Sequence, residues 1–149
     1  KVTGVDFSEN MISIAEKRVP EAIFVNADAT ELPLKNNSFD AITMTFGLRN
    51  ILQLEKALKE SLRVLKPNGK LLHLDFGKKN IYSKMFDIIA TAGIKIFYGK
   101  NLPYEYLINS KNEFPEPNEL IKEFEQEGFK LIKRIDYLFG IISAQIFTK

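Results

Sequence analysis

The chain has 149 residues, 45% hydrophobic and 27% charged, and its 21 basic and 19 acidic side chains leave a formal net charge of +2. That is one domain's worth of sequence with enough apolar content for a sizeable core, and its charges are too evenly balanced to point to nucleic acid. No Cys and a single His exclude disulfides, thiolate chemistry and Cys- or His-cluster metal sites, and no apolar run approaches the about 18 residues of a membrane span.

Lys1–Val5 reads as a short strand ending at Asp6. It carries no apolar leader, so a cytoplasmic location is the default expectation. The chain opens inside this strand without a Met, and further sequence upstream is expected. Ser8 is a candidate N-cap, with Glu9 in the first turn, for a helix carrying Met11, Ile12, Ala15 and Val19. Ala22–Asn26 is a second strand, and residues 28–37 form a loop broken by Pro33 and Asn36-Asn37. Phe39–Thr45 reads as a buried third strand running into Phe46-Gly47-Leu48-Arg49-Asn50. Leu54, Ala57, Leu58, Leu62 and Leu65 recur at helical spacing. Pro67-Asn68-Gly69 is a turn, and Lys70–Phe76 is apolar enough for a parallel strand covered on both faces.

Residues 80–100 form a long apolar segment with Lys at both ends, followed by a polar stretch to Pro117. A helix over Asn118–Glu127 is closed by Gly128. Lys130–Tyr137 and Ile141–Thr148, around Gly140, read as an antiparallel hairpin. Alternating strands and helices predict a doubly wound α/β fold with a mostly parallel sheet and this hairpin at its end.

Ligands of such sheets bind at the carboxyl ends of the strands, so acids and amides there are the candidate site residues. Asp6 can accept hydrogen bonds from ribose hydroxyls or cap the following helix. Asp28, with Ala27 and Ala29 leaving room for a ring, can accept from an adenine amino group or form an Asx turn. Gly47 permits close backbone approach. Arg49 offers planar donors to an oxyanion or quinone oxygen, or pairs with a surface acid. Asn50 can bind a ligand or cap the next helix. Asp75 ends its strand where it could face a ligand. His73, mid-strand, reads as a packed core residue rather than a base.

The elements GVDFS, NADA, FD with FGLRN, and RVLKPNGKLLHLDF occur in the order seen in class I S-adenosylmethionine-dependent methyltransferases. FGLRN and the later YEYLINS with Phe114-Pro115 are narrower. Together these motifs resemble the menaquinone/ubiquinone biosynthesis C-methyltransferase family over essentially the whole chain. The resemblance implies a Rossmann-like fold that binds S-adenosylmethionine and methylates a ring carbon of a polyprenyl quinol, most closely demethylmenaquinol. It implies Asp6, Phe7 and Met11 at the ribose and adenosine, Asp28 and Ala29 at adenine, and Arg49 and Asn50 at the quinol. Phe46, Asp75 and Tyr104 fall on the acceptor side, and Phe86, Ile89 and Phe97 lie along the isoprenoid tail. It further implies peripheral contact with a membrane and allows a homo-oligomer.

The chain departs from the family pattern where Asn68-Gly69 replaces a Gly pair, and where Asp75 replaces Glu, with Gly77 in place of Ser. It contains no G-x-G, so the glycine-rich loop that cradles the methionine end, and the central strand before it, are expected to be missing, leaving a gap in the sheet. Two alternatives stand beside the quinol reading: a methyltransferase with another small acceptor, and a non-catalytic relative acting in binding or assembly. The apolar 80–100 segment likewise reads either as tail and membrane contact or as a core or dimer helix.

Overall fold

A computed structural model of the chain describes residues 1–98, Tyr106 and 110–149, without the side chains of 94–98. Strand β1 (Thr3–Asp6) pairs in parallel with β2 (Ile23–Asn26), setting Asp6 opposite Asn26. Between them runs α1 (Glu9–Arg18), begun by the Ser8 hydroxyl, which accepts from Met11 N at 3.4 Å. Glu9 in its first turn and Lys17 and Arg18 in its last complement the helix dipole.

The remaining strands form a second sheet. These are β3 (Phe39–Thr45), β4 (Leu65–Phe76), β5 (Lys130–Tyr137) and β6 (Ile142–Thr148), in spatial order β3-β4-β6-β5. β3 and β4 are parallel, whereas β4–β6 and β6–β5 are antiparallel. Among the described residues β1 and β3 each have a neighbour on one side only, so the α/β sheet is divided at the expected gap.

That division corrects the expectation that β3 is buried. As an edge strand it exposes Asp40, Ala41, Thr43 and Thr45, while Ile42 and Met44 pack on the core. β4 also starts earlier than the composition predicts, at Leu65 rather than Lys70. The expected Pro67-Asn68-Gly69 turn is absorbed as an irregularity in the ladder, where pairing passes from Phe39–Leu65 to Ala41–Lys70. Asn68 takes φ 62° there, and a Cβ on Gly69 would stand 2.8 Å from Lys66 O.

Helix α2 (Leu54–Val64) buries Ala57, Leu58, Ser61 and Val64 on the face its spacing predicts. Its Arg63 donates to Leu32 O, Leu34 O and Asn36 Oδ1 and is held by Glu60, so α2 clamps the loop after β2. Helix α3 (Ile81–Tyr98) follows β4, and α4 (Pro117–Gln126) precedes the hairpin. α4 opens with a reciprocal Glu116–Glu119 capping box and closes at Gly128, φ 99°. It drives Leu120 and Phe124 into a core completed by Leu58, Leu65, Leu71, Phe129 and Phe147. Phe124 stacks on Phe147 with ring centroids 4.1 Å apart. No helix among the described residues is long and apolar enough to cross a membrane.

At the end of β4 the chain meets the β5–β6 turn at close quarters. Gly77 N donates to Ile141 O and Lys78 N to Gly140 O, both at 2.7 Å. A Cβ on Gly77 would fall 2.2 Å from Gly140 O, a backbone atom that cannot swing aside. Gly77→Ala is therefore expected to lower stability by about 2–3 kcal/mol, read as a shift of the urea unfolding midpoint, whereas Gly93→Ala, where a Cβ meets nothing within 4 Å, should not destabilise.

Candidate functional site

The chain leaves β3 through a turn that its own residues enforce. Phe46 N donates to Leu74 O at 2.9 Å, and Phe46 then adopts φ 53°, turning the backbone into a 3₁₀ segment, Leu48–Asn50. Leu48 is locked in the core, which fixes the two polar residues after it.

Arg49 Nη1 donates to Asp75 Oδ1 at 2.9 Å and to Phe46 O at 2.8 Å. The pair is deeply buried, with side-chain exposures of 7% for Arg49 and 0% for Asp75. The guanidinium also lies 5.6 and 5.5 Å from the Phe46 and Phe76 ring centroids, rings that meet edge to face at 5.4 Å. Arg49 thus pairs with an acid, but a buried one at the end of β4 and not a surface one. Burial pushes the Asp75 carboxyl up, while the Phe76 N–H and the Arg49 charge pull it back. Arg49 Nη2 makes no hydrogen bond among the described residues, and Nε is buried without a partner.

Behind Asp75 lies His73. Its Nδ1 is 3.2 Å from Gln145 Oε1, directly across the β4–β6 ladder, and Gln145 Nε2 donates to Pro117 O. With Phe114 and Phe124 around it, His73 is the core residue expected. Its Nε2 faces Asp75 Oδ2 at 4.0 Å, and neither atom has another partner among the described residues. Burial lowers the His73 pKa to about 4, so the ring is neutral at pH 7.

Asn50 does not cap α2, whose N-cap is Gln53. Instead, its Oδ1 accepts from the Tyr106 hydroxyl at 3.1 Å. Tyr106 was not singled out from the sequence, although it lies within the YEYLINS motif. The motif residue that was, Tyr104, lies outside the described residues, as does the side chain of Phe97. Lys111, also unanticipated, is buried with its ammonium 5.2 Å from the Phe76 ring and 2.6 Å from Asp87 Oδ1. Phe76 therefore carries two cations, each neutralised by its own acid. By contrast, the Asp40 of the FD motif pairs with Lys66 at 2.7 Å on the surface and takes no part in the site.

The first sheet carries the other candidates. Asp6 Oδ1 accepts from Ser8 N at 2.8 Å, while Asn26 Nδ2 donates to Asp6 O and Phe7 O, tying the ends of β1 and β2 together. Phe7 and Met11 beside them are solvent-exposed. Asp28 Oδ1 accepts from Thr30 N and Thr30 Oγ1, both at 2.8 Å, which is the Asx turn and holds its carboxyl below the usual range. Both acids keep their Oδ2 free of hydrogen bonds among the described residues, and Ala29 is half-buried.

Strands and helices in alternation, with Asp6 ending β1, Asp28 following β2, Arg49 and Asn50 following β3 and Asp75 next to the last residue of β4, define a Rossmann-like α/β fold. Among solved structures, a SAM-dependent methyltransferase from Aquifex aeolicus superposes with TM-score 0.73 at 20% identity over 99% of this chain and 68% of its own. The [4+2]-cyclase SpnF superposes equally well, with TM-score 0.74 at 18% identity over 100% of this chain and 66% of its own. The chain belongs to the ubiE/COQ5 methyltransferase family, whose pattern it matches over residues 1–149. It is 36% identical over 98% of its length to the demethylmenaquinone methyltransferase of Staphylococcus haemolyticus. It spans 65% of that relative.

The neutral His73 gives the fold a pH dependence. Unfolded, the ring binds a proton near pH 6.5 and folded only near 4; the unfolded state therefore takes up the proton first. This contribution to stability is complete above about pH 6.5 and falls by about 3 kcal/mol on acidification to pH 4. Protonation of Asp75 opposes it, because neutralising that carboxyl relieves a buried charge. A His73→Gln variant should lose the destabilising part of the slope in urea titrations between pH 6.5 and 4.

Proposed function

We propose that the protein to which this chain belongs transfers a methyl group from S-adenosylmethionine to a ring carbon of a polyprenyl quinol, with demethylmenaquinol the favoured acceptor. The observation that carries this is the Arg49–Asp75 pair, buried beside Phe46 and Phe76, with Asn50 and Tyr106 adjoining. It is supported by family membership and by the name of the relatives.

The residues present suit the adenosine half of the cofactor. Asp6 and Asp28 each offer a carboxylate oxygen at a strand end, and Phe7 and Met11 offer exposed apolar surface next to Asp6. No residue of this chain is assigned to the methionine end. When bound, S-adenosylmethionine supplies an electrophilic methyl on a sulfonium that is also the leaving group.

The chain's own contribution is positioning and charge placement. Asp75 holds Arg49 through Nη1, so the Nη2 edge remains to meet the quinol oxygen. Loss of that oxygen's proton to water would raise electron density at the ortho ring carbon, which would take the methyl as its bond to sulfur breaks and then release its own ring proton to water, while the guanidinium would stabilise the charge on the oxygen in a site walled by Phe46 and Phe76. Asn50, its Oδ1 occupied by Tyr106, presents its amide N–H groups to orient the ring. Phe86 and Ile89 on α3 offer apolar surface to the isoprenoid tail, and a tail of that kind brings the protein into peripheral contact with a membrane.

Calorimetry with S-adenosylmethionine on the full-length protein should show binding that Asp6→Ala weakens at least tenfold. Methyl transfer to a demethylmenaquinol should fall about 10²–10³-fold in kcat for Arg49→Ala, with KM for S-adenosylmethionine unchanged. Binding without transfer to any quinol would overturn the acceptor assignment and leave a cofactor-binding relative.

A further inference from the structure

Residues 27–38, which join β2 to β3, contain neither strand nor helix. The backbone groups of such a segment must find partners elsewhere, and here many come from two side chains of α2. Arg63 uses every N–H of its guanidinium. Nε donates to Glu60 Oε1, Nη2 to Glu60 Oε2 and Leu32 O, and Nη1 to Leu34 O and Asn36 Oδ1, all at 2.6–2.9 Å. Glu60 Oε2 in turn accepts from Leu32 N at 2.7 Å. Leu32 is therefore held by its N–H and its C=O together, each bonded to one half of the same ion pair. Pro33 follows with a fixed φ, and Asn37 N and Ser38 N donate to Arg63 O and Val64 O.

Glu60 and Arg63 lie one turn apart on α2, 20% and 30% exposed. The arginine fork holds the Glu60 carboxyl below its ordinary range, so the pair stays charged at neutral pH. The helix beneath them is anchored by buried Ala57, Leu58, Ser61 and Val64.

A short path connects this anchor to Asp28. Asp28 Oδ1 accepts from Thr30 N and Thr30 Oγ1, and its carbonyl accepts from Glu31 N at 3.1 Å, so residues 28–31 form a closed turn that ends at the pinned Leu32. On the other side Ala27 N donates to Asp6 O at 3.1 Å. Asp28 itself is exposed, and its Oδ2 makes no hydrogen bond among the described residues. An exposed side chain on an irregular loop is placed only as well as the loop is placed.

We infer that Glu60 and Arg63 are positioning residues for the cofactor: their fork fixes the loop so that the Asp28 carboxylate meets the exocyclic amino group of adenine. The inference rests on the adenosine-side reading of Asp28 in the proposed function, and it adds a pair that touches no ligand itself.

The test is calorimetry on the full-length protein with S-adenosylhomocysteine and with S-inosylhomocysteine, in which a carbonyl oxygen replaces that amino group. A carboxylate that accepts from the amino group opposes the carbonyl. The parent should therefore bind the adenosine compound about tenfold or more tightly, the scale of one hydrogen bond to a charged group. Arg63→Lys keeps the charge but gathers the donors on one nitrogen, and Glu60→Gln loses the charge that holds the fork; each should bring the two affinities within about threefold. The ratio is the readout because partial unfolding weakens both ligands by the same factor. Variants that keep the parent's ratio, whether or not both affinities fall, would overturn the inference and leave the pair a support of the fold alone. Asp28→Ala separates this from the reading beneath it, since that change should abolish the preference by itself. A preference that survives Asp28→Ala, or none in the parent, would overturn the adenine assignment and the inference with it.

Discussion

An ionised carboxylate with no exposure to water needs a counter-charge, and Asp75 sits in that position at the end of β4. The counter-charge comes from Arg49, and Arg49 reaches it because the chain after β3 is bent at Phe46 and pinned by Leu48. Removing one partner of such a pair leaves the other buried and bare, typically at a cost of about 3–5 kcal/mol. The turn, the aromatic walls and the register of β3 on β4 are therefore set together. The same pair immobilises a guanidinium at a strand end, where the proposed reaction would use it to meet the acceptor.

β4 is the strand on which this depends, since it alone in its sheet joins a parallel neighbour to an antiparallel one. The parallel side brings the end of β3 next to Asp75. The antiparallel side sets Gln145 opposite His73, so a neutral imidazole and an amide fill the space behind the carboxylate. The packing of Phe114 and Phe124 around His73 keeps that ring uncharged.

Much of this was legible in the sequence because it follows from local rules. Ser8 caps α1, Gly128 ends α4, and the apolar spacing of residues 54–64 selects the buried face of α2. The positions of Asp6, Asp28, Arg49 and Asn50 at strand ends follow from the alternation of elements. What escaped depends on contacts between residues distant in sequence. Asp75 meets Arg49 across 26 positions, and Tyr106 meets Asn50 across 56. Asp40 was legible as part of a motif, yet β3 lies at an edge and the residue became a surface partner of Lys66. Strand composition reports hydrophobicity and not which neighbours a strand will have, so the burial of β3 could not be read from FDAITMT.

The sharing of this architecture with a [4+2]-cyclase means that the fold does not select the chemistry. Selection must come from the charge arrangement over the proposed acceptor. Two cations lie at Phe76, but Asp75 neutralises Arg49 and Asp87 neutralises Lys111. The site thus offers oriented donors with little net charge. Such a site gains little from an acceptor that is already anionic in solution and more from charge that develops in place, because fixed dipoles need no reorganisation as the oxygen loses its proton. An unpaired arginine would have favoured the ground-state anion as strongly as the transition state. The buried carboxylate therefore both organises the fold here and restrains Arg49 so that, in the proposed reaction, its donors act chiefly when the ring becomes nucleophilic.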